Sequence, residues 1–396
     1  MIPFNRSSLQ GNELAYIHET IGVGQVAGDQ TYSRKCQQLL EEVTGCGKAL
    51  VTTSCTHALE AAALLLGIGE GDEVIIPDFT FVSTANAFVI RGARPVFCDI
   101  RPDTLNLDEN LLEALITPRT KAIVPVHYAG VGCEMDAIGE IAVRHGVAVI
   151  EDNAHGLFGK YKGRWLGTSG ALAAQSFHET KNITCGEGGA LLINDAKYVE
   201  RAEIIREKGT NRARFFRGQV DKYSWVDVGS SYVMSDVLAA FLYGQLEQWE
   251  VIQRKRRTIW GRYDQALGKW SESRGIRRPV IPEHCEQAYH MYHLLMPSLD
   301  ARTEFIGYLA GKEIKAVFHY LPLSRSEYAL QAAGRKMASG SESSTARRGD
   351  RRWEIAKCPV SEDVSDRLVR LPFYTSMSSG EQDQVIEAIL EWRKAR

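Results

Sequence analysis

The chain reads as an α/β protein, with a large, mostly parallel, doubly wound sheet followed by a smaller α+β unit. Three observations predict this. Five short apolar runs recur between residues 47 and 195, and their near-continuous apolar character is that of strands covered on both faces. Helical runs separate them, for example 56–66 and 136–145, and that alternation builds a parallel sheet. The 396 residues leave room for a second unit beyond the sheet.

In chain order, residues 1–45 form an arm with two short helices, the second near Tyr32 to Val43 after the turn-like Ala27-Gly28-Asp29-Gln30. The expected strands are Ala49-Leu50-Val51-Thr52, Glu73-Val74-Ile75-Ile76, Pro95-Val96-Phe97-Cys98, Ala122-Ile123-Val124-Pro125-Val126 and Val147-Ala148-Val149-Ile150. A long helical stretch over 235–267 leads into the smaller unit, so the expected division is 1–245 and 246–396. Strand candidates there are 289–295 and 316–320. Residues 334–352, rich in Gly, Ser and Arg, are expected to be a surface loop.

Bulk properties narrow the function classes. A net charge of −2 points to neither nucleic acid nor a membrane surface as partner. No apolar run approaches a membrane span, and the start lacks a basic-then-apolar signal layout. The eight cysteines contain no C-x-x-C pair, so a zinc site is not expected. Free thiols in a reducing cytoplasm are expected instead. His290 and His293 would point to opposite faces of a strand and could not chelate together, so no metal is assigned.

Ligands of doubly wound sheets sit beyond the carboxyl ends of the strands. Asp152, Thr53-Ser54-Cys55-Thr56 and Asp78-Phe79-Thr80-Phe81 all fall at such ends. Singly, each has a plain structural reading: Asp152 a helix cap, His155 a satisfied core histidine, Phe81 a core aromatic, Lys181 a solvated charge. Their joint spacing is more specific. A strand-end Asp152 opens D-x-x-H. Ser176 and Lys181 bound S-F-x-x-x-K, and Gly186-Glu187-Gly188-Gly189 follows, with glycines that let backbone approach closely. A buried amine, a strand-end carboxylate and a phosphate-sized set of hydroxyls and N–H groups are the parts that hold pyridoxal phosphate (PLP). Lys181 would bond its aldehyde, Asp152 its ring nitrogen and His155 its phenolic oxygen. Ser176 with the Cys55–Thr56 turn would take the phosphate. Phe81 would stack on the ring.

Nearly the whole chain resembles the DegT/DnrJ/EryC1/StrS sugar-nucleotide aminotransferases, within the fold-type I PLP enzymes. The resemblance runs through Pro77 to Ala87, Val126-His127-Tyr128-Ala129-Gly130, Glu151-Asp152-Asn153-Ala154-His155, the Lys181 segment and Arg370-Leu371-Pro372-Phe373-Tyr374. It implies a homodimer with active sites at the interface and pyridoxamine phosphate as the intermediate form of the cofactor. Longer stretches, including Glu203 to Arg212 and Phe215 to Tyr223, resemble one branch of the family. They imply a TDP-linked 4-keto-6-deoxy sugar as substrate and L-glutamate as amino donor. Many relatives carry G-x-N-x-R-M from the partner chain. Here the segment reads Gly229-Ser230-Ser231-Tyr232-Val233-Met234, so Ser231 remains a phosphate candidate while Val233 carries no charge. Arg212, Arg217 and Lys222 are candidates for the substrate's pyrophosphate or the donor's carboxylate. A 3-aminotransferase, a 4-aminotransferase giving the glucose-configured product and a PLP-binding regulator without turnover stand as alternatives. A dehydratase of the same family would carry histidine in place of Lys181.

Overall fold

A computed structural model describes residues 1–334 and 353–393. The loop expected over 334–352 falls, from 335 onward, outside the described residues. Seven strands build the main sheet: β1 (Lys48–Thr52), β2 (Glu73–Pro77), β3 (Arg94–Cys98), β4 (Thr120–Ile123), β5 (Ala148–Asp152), β6 (Leu172–Ser176) and β7 (Gly189–Ile193). Their order is β1-β7-β6-β5-β4-β2-β3. Only β7 runs against the rest, pairing antiparallel with both β1 and β6. All five expected strands are present. Sequence reasoning missed β6 and β7. Leu172-Ala173-Ala174-Gln175-Ser176 has no β-branched residue, and β7 opens on glycine, so neither advertises a strand locally. Pairing with neighbours makes them strands.

Helices cover both faces, as the apolar strands require. The arm supplies α1 (Glu13–Val23) and α2 (Thr31–Thr44). The alanine-rich α3 (Cys55–Leu65) packs directly on β6 and β7, with Ala58, Ala61 and Ala62 wholly buried. Small side chains let that helix approach the sheet closely. Each large apolar side chain buried fully in this core contributes roughly 1.5–3 kcal/mol. α4 (Val82–Val89) follows β2.

The stretch expected as one helix over 235–267 is two, Asp236–Leu246 and Trp249–Glu272, broken at Glu247-Gln248. The C-terminal strands also differ from expectation. Within 289–295 only β8 (His293–Leu295) is a strand, and Tyr289 at the start of the stretch takes a left-handed φ of 52°. Residues 316–320 form no strand. Val317 alone bridges Arg370, which ends β9 (Leu368–Arg370), the partner of β8. A separate core gathers Ile259, Tyr263, Phe305, Val369 and Ile389 in this part of the chain, and Ile2 joins it.

Two strand-end carboxylates fasten the C-terminal residues to the main sheet. Asp78, after β2, accepts from the Ser324 backbone (2.7 Å) and hydroxyl (2.8 Å). Asp99, after β3, accepts from the Val360 and Ser361 backbones and the Ser361 hydroxyl. Among the described residues, no helix is long and apolar enough to cross a membrane.

Candidate functional site

A cavity of about 720 Å³ opens at the carboxyl ends of the strands. Cys55, Thr56, Phe81, Asp152, His155, Ser176 and Lys181 all line it. A wider hollow of about 900 Å³, walled by Trp165, Trp249 and Trp260, contains none of them. Its one acidic–basic pair is the rim contact Lys160–Glu286, so the chemistry lies in the smaller cavity.

Asp152 ends β5 and is buried. Its carboxylate accepts from the Thr84 hydroxyl at 2.7 Å and the Ala154 backbone at 3.1 Å. Burial raises its pKa, while Thr84, Ala154 and the Lys181 charge partly offset that. The neighbouring Glu151 points the other way, as β alternation demands. It accepts from the Gly167, Ser169 and Gly170 backbones and lies 2.8 Å from His127 Nε2, with both side chains wholly buried. His127 Nδ1 accepts from the Cys133 backbone, so its proton resides on Nε2 and is donated to Glu151. The pair pins the strand end that presents Asp152.

Lys181 lies on the loop between the adjacent strands β6 and β7. That loop is closed by Phe177 N to Gly188 O (2.8 Å) and Cys185 N to Phe177 O (3.0 Å). Burial lowers the Lys181 amine to about 8, and the Arg370 charge acts in the same direction against Cys55 and Asp152. Among the described residues no hydrogen-bond partner holds its Nζ.

Ser54 caps α3 by accepting from the His57 backbone, and the first turn of α3 faces the cavity beside Ser176. Thr56 donates to the Ser83 hydroxyl at 2.8 Å. Gly186 takes a φ of 88°, and Gly189 lies against the Ser54–Cys55 peptide so closely that no side chain fits between them. Phe81 is 56 % exposed at the mouth, which removes the core reading of that ring.

His155 stacks on His290, with ring centroids 4.2 Å apart. Its Nδ1 accepts from the Ala129 backbone, which leaves the proton on Nε2, 3.3 Å from the Tyr320 hydroxyl. Burial holds His155, His290 and His319 neutral. Arg256, buried in the long helix Trp249–Glu272, donates to the Tyr289 and His290 carbonyls and so pins the segment carrying His290.

Ser231, Arg212, Arg217 and Lys222 do not reach this cavity. Ser231 is exposed, and its backbone bridges Glu207. Arg212 pairs with Glu207 at 3.2 Å and Arg217 with Glu203 at 2.9 Å. Sequence reasoning also missed Thr84, His290, Lys315, His319, Tyr320 and Arg370, all of which line the cavity. Thr84 and Arg370 had a local signal, their places in the Pro77–Ala87 and Arg370-Leu371-Pro372-Phe373-Tyr374 stretches.

The residues present fit PLP. A buried carboxylate awaits a positive ring nitrogen, an unengaged amine faces it, and a helix N-terminus with hydroxyls beside it offers a phosphate site. The fit agrees with comparisons to known proteins. Residues 7–390 match the DegT/DnrJ/EryC1/StrS aminotransferase family. The chain is 34% identical over 398 residues to the spore coat polysaccharide biosynthesis protein SpsC of Bacillus subtilis, covering 98% of this chain and 96% of that one. Among solved structures it is similar to the aminotransferase TlmJ from Streptoalloteichus hindustanus (29% identity, TM-score 0.84, 98% of each chain). It is also similar to Spr1654 from Streptococcus pneumoniae, solved in a PLP form (26% identity, TM-score 0.86, covering 98% of this chain and 97% of that one) and in a PMP form.

Proposed function

The chain belongs to the DegT/DnrJ/EryC1/StrS aminotransferase family, the PLP-dependent sugar aminotransferases, and on that premise we propose that it aminates C4 of TDP-4-keto-6-deoxy-D-glucose. The donor is L-glutamate and the product TDP-4-amino-4,6-dideoxy-D-galactose, destined for a surface polysaccharide. The product is that of a TDP-4-amino-4,6-dideoxygalactose transaminase. The likeness to a spore coat polysaccharide biosynthesis protein supports the polysaccharide destination. The observation that carries the amine-transfer chemistry is Lys181, an amine lowered to about 8, sharing one cavity with the buried Asp152.

PLP, when bound, supplies an aldehyde for amine exchange and a ring that accepts the electrons left when a proton departs. Asp152 holds a proton on the ring nitrogen, and Thr84 fixes the carboxylate that does so. Lys181 anchors the cofactor in the resting enzyme. Once free, its Nζ, about half neutral at pH 8, would carry the proton from Cα of the donor to the cofactor's aldehyde-derived carbon and, in the second half of the reaction, from that carbon to C4 of the sugar. The α3 N-terminus, Thr56 and Ser176 bind the phosphate. Phe81 covers one ring face, and His155 stands at the phenolic side.

We place Ser231, Arg212, Arg217 and Lys222 at the cavity of a second copy in a homodimer. Their segment supports this, since Phe216, Tyr223 and Trp225 are 68 %, 51 % and 79 % exposed, an apolar surface that a single chain leaves uncovered. The chain is proposed to divide at 245/246, where helix Asp236–Leu246 gives way to Trp249–Glu272.

The test incubates the protein with PLP, L-glutamate and TDP-4-keto-6-deoxyglucose and determines the C4 configuration by NMR. An axial amine is expected. An equatorial amine overturns the product and keeps the reaction. No amine at C4 overturns the substrate and directs the assay to the 3-keto isomer.

A further inference from the structure

Arg370 is a guanidinium in the cavity wall without a counter-ion among the described residues. It ends β9, and its Nε is buried without any hydrogen-bond partner. One Nη donates to the Phe318 carbonyl at 3.3 Å, and the face of the guanidinium lies 4.6 Å over the Phe4 ring. No carboxylate among the described residues pairs with it. Arg370 is partly buried, and a cation drawn out of water without a counter-ion is costly, so such groups are ordinarily paired. Lys315, also in the cavity wall but exposed, has no ion-pair partner among the described residues either. The wall carries one interior carboxylate, Asp152, and one at the rim, Glu187, which is largely solvated.

We infer that Arg370 is the receptor for the carboxylate beside the reacting amine of the donor, with Lys315 at the mouth receiving the distal carboxylate of a dicarboxylic amino acid. The chain start is part of this device. Ile2 pairs with residues 313–315, Phe373 N donates to Phe4 O at 3.1 Å, and Phe4 covers the face of Arg370. Asn5 Nδ2 and Ser7 Oγ both donate to the Glu179 carbonyl, two residues before Lys181. Residues 2–7 therefore tie the arginine's strand to the lysine's loop. Phe4 is a positioning residue: it blocks one face of the guanidinium and leaves its edge for a planar, two-point contact with a carboxylate.

This assignment rests on the glutamate reading of the donor, and the test separates the two. The PLP-loaded enzyme is titrated calorimetrically with 2-oxoglutarate, the keto acid of that donor, which cannot give up an amine. Folding is checked by circular dichroism. Wild type is expected to bind, Arg370→Gln to bind ~100-fold more weakly, and Arg370→Lys to recover part of the loss. Lys315→Ala is expected to weaken 2-oxoglutarate ~3-fold but to leave pyruvate, which lacks the distal carboxylate, unchanged. Phe4→Ala is expected to weaken both acids while leaving TDP affinity untouched. Equal affinity of wild type and Arg370→Gln for 2-oxoglutarate overturns the assignment. If wild type ignores 2-oxoglutarate yet binds pyruvate, the glutamate reading fails, and Arg370→Gln against pyruvate decides the arginine in the same way. Binding of neither acid overturns both.

Discussion

Gly189→Ala is the perturbation with the sharpest structural consequence. Gly189 opens β7, paired with Thr52 on one side and Ser176 on the other, and lies beneath the first turn of α3. A Cβ built there meets the Ser54 carbonyl oxygen at 2.5 Å, and the Ser54 carbonyl carbon and Cys55 nitrogen are nearer still. Non-bonded heavy atoms need about 3.5 Å, so the strand and the helix N-terminus must part by about 1 Å. Both neighbours are backbone, so no side chain can swing aside. Overpacking of this kind costs about 1–3 kcal/mol of stability. The shift also withdraws the N–H groups proposed to hold phosphate. Charge-assisted hydrogen bonds contribute about 1.5–3 kcal/mol each, so losing one weakens PLP by roughly 10- to 100-fold. The assay is PLP titration of the apo-protein by absorbance, with thermal denaturation alongside. Gly139→Ala serves as control, since a Cβ there meets nothing within 4 Å in a helix interior, and it should leave affinity unchanged. Wild-type PLP affinity in Gly189→Ala would refute the placement of the phosphate at the α3 N-terminus.

Three further predictions address the rest of the site. Thr84→Val removes the 2.7 Å donor to Asp152, leaves that buried carboxylate with fewer partners, and should weaken PLP about 10-fold by the same titration; an unchanged titration means Thr84 does not hold Asp152. Because Lys181 is lowered to about 8, labelling of its amine in the apo-protein should rise with pH to a half-maximum near 8, followed by mass spectrometry of the labelled peptide. Labelling that rises only in the ordinary lysine range contradicts the buried setting. Glu151→Gln turns an acceptor oxygen into a donor facing N–H groups and His127, and should cost about 3–5 kcal/mol in chemical denaturation. The Glu151 carboxyl lies below its usual range despite burial, chiefly through His127. Its stabilisation is therefore present above the unfolded-state pKa and lost as pH falls through the folded one, a slope that Glu151→Gln should lack.

Sequence pattern reached the parts of this molecule that depend on near neighbours. The strands β1 to β5 are legible because each is a short apolar run ending near a polar or turn residue. Residues Cys55, Thr56, Phe81, Asp152 and His155 could be grouped because each lies at or just after the end of an expected strand, and strand ends of a parallel sheet converge, whereas Ser176 and Lys181 joined them through the S-F-x-x-x-K spacing. β6 was hidden because alanine signals helix as readily as strand. Tyr320 and Arg370 were hidden for a different reason: no periodicity relates Tyr320 to His155, 165 positions away, and their contact depends on how the C-terminal residues seat on the sheet. The clamps at Asp78 and Asp99 produce that seating, and a strand-end aspartate looks the same in sequence whether it caps a helix, grips a distant loop or faces a cofactor. Arg212, Arg217 and Lys222 were candidates as cations within the stretches that resemble one branch of the family, and neither charge nor resemblance says whose cavity a side chain serves.

The two walls of the cavity come from different stretches of chain. Residues 54–188 contribute the groups proposed to hold the cofactor, whereas Lys315 to Tyr320 and Arg370 come from the C-terminal segments, which Asp78 and Asp99 help to fasten to the sheet. Substitutions in the second wall can therefore alter what is aminated, or which donor is accepted, while the cofactor's own contacts stay intact. A lineage can drift in substrate without passing through a protein that has lost PLP. The corresponding engineering route is to exchange residues 315–320 together with the Arg370 position between relatives, and to leave everything from Ser54 to Gly188 alone.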